Sequence, residues 1–500
     1  MKNETAAVVI DGKTLKIPVG TRVSDVIDKP LPCGGHGKCG KCRVRASGAL
    51  SPLSATETEK LTDDEISRGV RLACCAKILG ECEIAPLYES AENSNILTKT
   101  NAEAKSLAPS FSSYGAAVDV GTTTLAAQLY DKNGTLLAEC GRLNPQSVWG
   151  ADVISRIEAS MKGESGKMAT AVCKAIDEML AELAARAAID PKEIDGLVIT
   201  GNTAMLHFLT ATSPEPLSHA PFCAERLFDE KLTPDSLGLI NISEKAEIYL
   251  PPCIAAFVGA DTVCAMLATD ICARDGALLA DIGTNGEMGL WHGGKLSVCS
   301  TAAGPAFEGV GISMGMNGAE GAIDHVKLDG EKLVPHVIGG VPPRGICGSG
   351  LIDAVACILE NETLDETGLL DDDPTVISPP VALTQHDIRM VQLAKSAICA
   401  GIVTLLCEEK LDAGDVSAFY VAGGFGSFLD IKSAGRIGLI PAELTDKVII
   451  SGNAALSGAA MLLLDKNKRS RAAALAKEAT VVDLATNPVF VETYMTGMMF

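Results

Sequence analysis

Alternating apolar and polar positions near the start of the chain predict a small domain of short strands. Residues 6–19 alternate on both sides of Asp11-Gly12, a pair typical of a hairpin turn, so two short strands are expected there. Ser24-Asp25-Val26 follows and has the composition of a helix start. A loop rich in cysteine and glycine comes next. We assign residues 1–88 to this first domain.

A longer apolar pattern occurs twice in the rest of the chain. Residues 116–120 form an apolar strand that runs into Asp119-Val-Gly-Thr, followed by a second strand and an Asn133-Gly134 turn. Residues 277–287 repeat the pattern around Asp281-Ile-Gly-Thr, and the next turn is Gly293-Gly294. This self-similarity indicates an internal duplication. It predicts two lobes, residues 114–268 and 269–500.

Two other kinds of segment complete the organisation. Residues 89–113 are rich in Ser, Asn, Glu and Lys without a sustained period, which predicts a flexible linker. Residues 255–261 and 452–460 are dominated by small side chains at helical spacing, which allows two helices to approach closely. We therefore expect one such helix to accompany each copy of the duplicated strand pattern.

Composition and charge restrict the classes of function. The 500 residues are 47% hydrophobic, enough for several packed cores, and the net charge of −21 argues against a nucleic acid partner. Residues 1–88 carry 13 Lys and Arg against 11 Asp and Glu, so the acidity lies elsewhere. Lys38, Lys41, Arg43 and Arg45 lie around the cysteine loop and could attract an acidic partner.

The expected location is the cytoplasm. Most of the 17 cysteines are scattered through apolar stretches, which is typical of free thiols in a reducing compartment. The N-terminus has no apolar signal core, and the apolar runs around residues 397–407 and 454–464 are shorter than a membrane span. We predict a soluble protein with no membrane partner.

The cysteine loop has the spacing of an iron–sulfur site. Cys33, Cys39 and Cys42 follow the pattern C-x5-C-x2-C, and Cys74 supplies a distant fourth thiolate. Glycines between them let the loop adopt left-handed dihedrals and direct N–H groups toward sulfur. A structural zinc site remains an alternative, because Cys39-x-x-Cys42 would also suit zinc. Cys75 adds an ambiguity, although adjacent residues of an extended segment point to opposite sides.

This loop resembles that of adrenodoxin-like [2Fe–2S] ferredoxins. The resemblance selects Cys74 rather than Cys75, because Leu-Ala-Cys after an arginine matches that group. It implies a β-grasp domain that carries one [2Fe–2S] cluster and moves single electrons. His36 lies inside the loop, but four thiolates already complete the site, so we expect a solvated side chain.

Each duplicated turn predicts part of a nucleotide site. An aspartate ends a buried strand, and the following Gly-Thr turn offers N–H groups and hydroxyls that can hold phosphates. Mg²⁺ commonly uses one or two carboxylates together with nucleotide phosphates, so Asp119 and Asp281 are the predicted metal-binding and catalytic residues. The predicted nucleotide-binding residues are Gly121, Thr122, Thr123, Thr124, Gly283, Thr284, Asn285, Gly286, Gly423, Gly424, Phe425 and Gly426.

These turns resemble the superfamily of acetate and sugar kinases, Hsp70 and actin. Residues 119–124 and 281–286 resemble its two phosphate loops, residues 423–426 its adenosine loop, and the two small-residue helices its connecting helices. The implied fold class is a multidomain α/β and α+β chain, with a β-grasp [2Fe–2S] ferredoxin-like domain before a duplicated, two-lobed actin/Hsp70-like ATPase fold.

With the cluster domain in front, the whole chain resembles the ATP-dependent reductive activators of corrinoid proteins. The resemblance implies reduction of Co(II) to Co(I) on a corrinoid protein of a methyltransferase system, with Mg·ATP driving the step. It also implies a low-potential electron donor, such as ferredoxin or flavodoxin, and a homodimer. Residues 465–500 contain no cysteine, so a single cluster is expected.

Some features remain open at the level of sequence. Gln146 and Glu308 could polarise a water molecule or bind Mg²⁺, but a loop hydrogen bond explains each equally well, so neither is assigned to catalysis. Three other functions are compatible with parts of the pattern: a small-molecule kinase, an activator of 2-hydroxyacyl-CoA dehydratases, and a redox sensor with an actin-like switch.

Overall fold

The computed structural model describes residues 5–10, 13–27, 31, 35–37, 40, 42–61, 63–86, 107–424 and 428–500. Its strands are β1 Thr5–Ile10, β2 Lys13–Pro18, β3 Arg43–Leu50, β4 Val70–Leu72, β5 Ile78–Pro86, β6 Tyr114–Val120, β7 Thr124–Asp131, β8 Leu136–Leu143, β9 Ile194–Gly201, β10 Glu230–Leu232, β11 Glu247–Leu250, β12 Ala277–Ile282, β13 Gly286–His292, β14 Lys295–Thr301, β15 Ala322–Asp329, β16 Lys332–Val337, β17 Gly345–Ile346, β18 Thr375–Ser378, β19 Val381–Leu383, β20 Ala418–Ala422, β21 Val448–Gly452 and β22 Thr480–Val481. Its α-helices are α1 Ala55–Lys60, α2 Asp63–Ser67, α3 Val153–Ala159, α4 Ser165–Ala187, α5 Thr203–Leu209, α6 Ala260–Thr269, α7 Gly348–Glu360, α8 Gln385–Glu408, α9 Ile431–Arg436, α10 Ala454–Leu464, α11 Arg469–Glu478 and α12 Pro488–Thr496.

The N-terminal domain is a five-stranded mixed sheet in the order β2-β1-β5-β3-β4. The predicted hairpin is confirmed as the antiparallel pair β1 and β2, although Asp11 and Gly12 lie outside the described residues. Alternate residues of the strands face one core, in which Val8, Val44 and Leu72 are fully buried. The predicted helix start is a short 3₁₀ turn, Val23–Asp25.

Two six-stranded sheets with matching connectivity form the rest of the chain. The first has the order β10-β11-β9-β6-β7-β8 and the second β21-β20-β12-β13-β14-β22. In both, two parallel pairs (β11-β9-β6 and β21-β20-β12) lead into an antiparallel meander (β6-β7-β8 and β12-β13-β14). This correspondence confirms the predicted duplication. Each Asp-x-Gly-Thr turn lies at the end of the strand where the meander begins.

The two small-residue helices pack against each other, as predicted. The first begins later than expected, at Ala260, because Ala255 and Val258 form a bridge and Gly259 is the extended N-cap. A Cβ atom on Gly458 of α10 would lie 2.0 Å from the carbonyl oxygen of Cys264 in α6. Only glycine permits this approach of the two backbones.

Helix α10 also completes the first lobe. It packs on β6 and β9, and its Leu456 and Leu463 share an apolar layer with Ala117 and Val198 of those strands. A segment from the end of the sequence therefore covers the sheet of residues 114–268. The predicted boundary between lobes separates the two sheets but not the layer of helices.

The described end of the predicted linker is packed rather than free. Ala108 and Ser110 donate backbone hydrogen bonds to the carbonyls of Leu464 (3.0 Å) and Leu463 (2.9 Å) at the end of α10. Phe111 is buried where Gly115 and Gly196 leave room for its ring. The linker prediction is therefore wrong for residues 107–113, and residues 89–106 lie outside the described residues.

Helix α8 is longer than the apolar run that the sequence showed around residues 397–407. Among the described residues, α8 alone is long and apolar enough to cross a membrane, but 72% of its apolar window is buried inside the protein. It packs against β13 and β14 on one side and α12 on another. The apolar composition of α8 is thus that of a core helix.

Candidate functional site

The structure brings two of the four predicted cluster ligands together. The Sγ atoms of Cys42 and Cys74 lie 3.1 Å apart, and both residues are buried. This separation exceeds the length of about 2.05 Å of a disulfide bond, so the two cysteines are not joined by a disulfide. Cys33 and Cys39 lie outside the described residues. The two described thiols fit one side of an iron–sulfur site.

Cys75 lies closer to this site than the sequence suggested. Residues 73–75 form a turn, in which the N–H groups of Cys75 and Ala76 both bind the carbonyl of Leu72 at 2.9 Å. The Sγ atom of Cys75 is 3.7 Å from that of Cys74, so the two side chains do not point to opposite sides. The premise of an extended segment is wrong. Cys74 is nevertheless the thiol in contact with Cys42.

The glycine loop has the expected backbone. Gly35, Gly37 and Gly40 have φ values of 77°, 73° and 64°. A Cβ on Gly37 would lie 3.6 Å from Cys75 Sγ, so this part of the loop lies over the thiols. His36 is exposed, in agreement with a solvated loop residue. Arg43 is not a free surface charge, because it binds Glu65 at 2.8 Å.

A buried ion pair holds the segment that leads to Cys74. Glu57 of α1 has no exposed surface and accepts hydrogen bonds from Arg71 Nε (2.8 Å), Arg71 Nη2 (3.1 Å) and the Leu72 N–H (3.1 Å). The Ser54 N–H and hydroxyl bind the same carboxylate at 2.9 and 3.0 Å. Burial alone would raise the pKa of Glu57, but these hydrogen bonds hold the pKa below its usual value.

A second site is a cleft of about 470 Å³ between the two duplicated sheets. The predicted residues that line it are Asp119, Gly121, Thr122, Thr123, Thr124, Asp281, Gly283, Thr284, Asn285, Gly423 and Gly424. Phe425 and Gly426 lie outside the described residues. Gly286 does not line the cleft: a Cβ there would lie 2.3 Å from Ile398 of α8, so this glycine serves packing instead.

Three polar side chains bind the first Gly-Thr turn and hold it in place. Asn144 Nδ2 donates to the carbonyl of Gly121 at 2.8 Å, and Asn202 Nδ2 donates to Thr122 Oγ1 at 3.2 Å. The fully buried guanidinium of Arg156 binds the carbonyls of Thr122 (2.6 Å) and Gly150 (2.9 Å). These contacts explain the motifs around Asn144 and Gly150, whose roles the sequence did not reveal.

Four of the carboxylates that line the cleft have a raised pKa. Burial, together with the charge of Asp261, raises the pKa of Asp119 to about 7, against a 3.0 Å hydrogen bond from Asn453. Burial and the charges of Asp261 and Asp119 raise the pKa of Asp281 to about 7, and burial raises the pKa of Asp261 to about 6. The pKa of Glu287 is raised well above its usual value for the same reasons. A bound cation would relieve this repulsion.

This donor set suits magnesium with phosphate better than a metal bound by protein alone. Among the residues that the structure describes, no three His, Cys, Asp or Glu side chains are arranged to hold a metal ion by themselves. Mg²⁺ keeps several waters and uses few carboxylates, so the cleft fits Mg·ATP. The sequence interpretation missed Asp261 and Glu287. Their signal was an acidic residue inside an apolar run, which is rarely tolerated without a partner.

Gln146 and Glu308 have different surroundings. Gln146 is fully buried, does not line the cleft, and donates to the carbonyl of Met168 at 3.2 Å, which supports its structural role. Glu308 lines the cleft. It accepts hydrogen bonds from Thr123 Oγ1 and, at 2.5 Å, from Thr284 Oγ1.

The lining of the cleft also includes apolar side chains. Met316, Ile338 and Phe428 contribute apolar surface, and Gly348 and Ser349 of the lining lie at the N-terminus of the 13-residue helix α7. An apolar wall beside backbone N–H groups suits a nucleoside attached to phosphates. The lining thus contains part of the 345–351 motif that the sequence singled out without a role.

Family models match three successive parts of the chain. Residues 8–79 match a 2Fe-2S iron-sulfur cluster binding domain, residues 114–274 the RACo middle region, and residues 275–500 the C-terminal domain of RACo, the ASKHA domain. These matches support a [2Fe–2S] cluster over zinc in the N-terminal domain, and ATP with Mg²⁺ in the remainder.

Similar proteins span most of the chain. The corrinoid activation enzyme RamQ of Eubacterium limosum is 35% identical over 424 residues, which cover 77% of this chain and 70% of the relative. The [Co(II) methylated amine-specific corrinoid protein] reductase of Methanosarcina barkeri is 27% identical over 420 residues and 77% of each chain.

A solved structure has the same arrangement over nearly the full length. The structure described as a reductive activator for corrinoid, iron-sulfur protein has a TM-score of 0.73 and 26% identity, and the match covers 99% of this chain and 98% of that one. The cluster domain, the two-lobed cleft and these similarities lead to one conclusion. The chain belongs to the family of corrinoid activation enzymes, ATP-hydrolysing iron–sulfur oxidoreductases with an N-terminal [2Fe–2S] domain and an ASKHA ATPase fold.

Proposed function

We propose that the protein reduces Co(II) to Co(I) on a separate corrinoid protein, at the expense of ATP, and so returns that protein to methyl transfer. The observation that carries the proposal is the combination in one chain of the paired thiols of Cys42 and Cys74 with a two-lobed nucleotide cleft. The 35% identity to a corrinoid activation enzyme supplies the class of partner.

Individual residues can be given roles within this proposal. We propose that Cys33, Cys39, Cys42 and Cys74 hold the [2Fe–2S] cluster, which supplies a one-electron carrier when bound. Thr122, Thr123, Thr124, Thr284 and Asn285 would bind phosphates, Gly423 and Gly424 would approach the adenosine, and Asp119 and Asp281 would face Mg²⁺. Asp261 and Glu287 share the same buried pocket and would add to its attraction for a cation.

ATP is needed because the electron moves to a more negative potential. For one electron, each 59 mV of mismatch corresponds to about 1.4 kcal/mol, so a gap of a few hundred millivolts requires several kcal/mol. Binding of nucleotide between the lobes can supply this energy only if the closed and open states differ in affinity for it. A nucleotide bound in the cleft would contact both lobes, since the lining residues belong to both.

We further propose a ferredoxin or flavodoxin as electron donor, a homodimer, and a cytoplasmic location. The functional units would be the cluster domain, residues 1–88, and the lobes 114–268 and 269–500, with α10 completing the first lobe. The donor would approach the cysteine loop near Lys38 and Lys41, which lie outside the described residues.

The test mixes the reduced protein anaerobically with candidate Co(II) corrinoid proteins and follows Co(I) absorption. We expect Co(I) with ATP, little with a non-hydrolysable analogue, and none without nucleotide. Asp281→Ala should abolish the ATP-dependent yield and leave the cluster spectrum intact, whereas Asp329→Asn, at an exposed residue of β15, should behave as wild type. Equal yield in all three conditions would exclude ATP as the driver, and no Co(I) with any corrinoid protein would overturn the proposal.

A further inference from the structure

Glu308 connects the two Gly-Thr turns of the cleft directly. Its carboxylate accepts one hydrogen bond from Thr123 of the first lobe and another, 2.5 Å long, from Thr284 of the second. Glu308 ends the 3₁₀ turn Pro305–Glu308 that follows β14, and Gly309 with φ 75° then turns the chain away. The carboxylate thus lies between the two turns that would hold the phosphates of a nucleotide.

The arrival of a triphosphate would change what this carboxylate can bind. The hydroxyls of Thr123 and Thr284 would turn to the phosphates, which leaves Glu308 with free acceptor atoms. A carboxylate and a phosphate are both negative and both accept hydrogen bonds, so neither can bind the other without a donor or a cation between them. Asp119, Asp281 and their neighbours Asp261 and Glu287 already provide oxygen atoms for a cation. A water molecule is the donor that remains.

We propose that Glu308 orients and deprotonates the water that attacks the terminal phosphate of ATP; this inference rests on the proposed ATPase activity. The water oxygen forms a bond to the terminal phosphorus while its proton passes to the Glu308 carboxylate. The bond from that phosphorus to the bridging oxygen breaks, and its electron pair stays on ADP. Glu308 then releases the proton to solvent, so the products are ADP, inorganic phosphate and one proton. General base catalysis of this kind contributes about 10²–10⁴-fold.

The experiment separates hydrolysis from binding in the full-length, cluster-loaded protein. Single-turnover ATP hydrolysis is measured with and without a corrinoid partner, and the dissociation constant of a non-hydrolysable ATP analogue is measured by calorimetry. Glu308→Gln should lower the rate by about 10²–10³-fold. The affinity for the analogue should be unchanged or higher, because a negative charge beside the phosphates is removed.

Two further variants exclude a purely structural effect. Glu308→Asp keeps the charge but withdraws the oxygen atoms by one methylene, so its rate should fall between those of Glu308→Gln and wild type. Glu331→Gln, at an exposed glutamate of the same lobe, should hydrolyse ATP within twofold of wild type. The thermal midpoint and the cluster absorption of all variants should match those of the wild type.

Other results would contradict the inference, the proposed function, or both. A fall in analogue affinity that matches the fall in rate would make Glu308 a binding residue, and recovery of the rate at high Mg²⁺ would make it a metal ligand. An unchanged rate would remove it from the mechanism. A wild type that hydrolyses ATP but reduces no corrinoid contradicts only the proposed function. A wild type without hydrolysis in either condition contradicts both.

Discussion

Replacement of Glu57 by glutamine tests whether the buried ion pair holds the cluster domain together. All five hydrogen bonds described for this carboxylate come from donors, on Arg71, Leu72 and Ser54. The amide of glutamine has an NH₂ group, which would face a donor whichever way it turned. The guanidinium of Arg71, with only 11% of its side chain exposed, would also lose its counter-charge.

The magnitude can be worked out from these contacts. Removal of one partner from a buried ion pair costs about 3–5 kcal/mol. A domain of about 80 residues has a free energy of unfolding of about 4–12 kcal/mol. At about 4–8 °C per kcal/mol, the unfolding midpoint of the N-terminal domain should fall by about 12–40 °C. The ATPase lobes should keep their own midpoint.

The effect should also depend on pH. The folded-state pKa of Glu57 lies below its usual value, so the ionised form stabilises the domain fully above about pH 4.3. That stabilisation is lost as the pH falls through the lower, folded-state pKa. The difference between wild type and Glu57→Gln should therefore be largest at neutral pH and should shrink in acid.

Thermal unfolding followed by circular dichroism and by cluster absorption provides the assay. The matched control is Glu59→Gln on the same helix, since Glu59 is 69% exposed and pairs only with its neighbour Lys60 among the ion pairs described. This control should change the stability by less than about 0.5 kcal/mol. If Glu57→Gln lowered the midpoint by no more than the control does, the ion pair would not stabilise the domain.

Three other changes test different parts of the chain. Gly423→Ala should weaken ATP binding at least about tenfold, because the φ of Gly423 is 98° and the new Cβ would lie 2.7 Å from Asp281 Oδ1. Calorimetry measures the affinity, and an unchanged affinity would contradict this prediction. Gly458→Ala should destabilise the lobes by about 1–3 kcal/mol in thermal melts, whereas Gly166→Ala, with open space around its Cβ, should be neutral or stabilising. Burial lowers the pKa of Lys395 to about 8, so between about pH 8 and 10 the folded state has lost a proton that the unfolded state still binds. The wild type should therefore gain stability relative to Lys395→Met over this range in denaturant titrations. A constant difference would show that Lys395 does not titrate there.

Local patterns predicted the fold well wherever a turn separates two strands. The pairs β1-β2, β7-β8 and β13-β14 were recognisable because the Asp11-Gly12, Asn133-Gly134 and Gly293-Gly294 turns interrupt short apolar runs. The Asp-x-Gly-Thr repeat then placed Asp119 and Asp281 in one cleft, which the structure bears out in position. The duplication made this prediction possible, because equivalent strands of two similar sheets end at the cleft between them.

Contacts between distant segments were not predictable in the same way. Thr123 and Glu308 are 185 residues apart, and no local pattern indicates that they share a hydrogen bond. Gly286 looked like part of a phosphate loop but faces Ile398, because the side of a strand on which a residue lies depends on its register. Phe111 stands in a polar segment, and its burial depends on space left by the nearby Gly115 and by Gly196 of another strand. In each case the deciding partner lies elsewhere in the chain.

Helix α10 contacts functionally different parts of the chain at its two ends. At its N-terminus Asn453 holds the carboxylate of Asp119, and at its C-terminus the carbonyls of Leu463 and Leu464 hold Ser110 and Ala108. Its 11 residues span about 16 Å and form a rigid rod at this length. The position of Asn453 beside Asp119 is therefore linked through this helix to the position of residues 108–110. One short helix thus connects the nucleotide cleft to the segment that precedes β6.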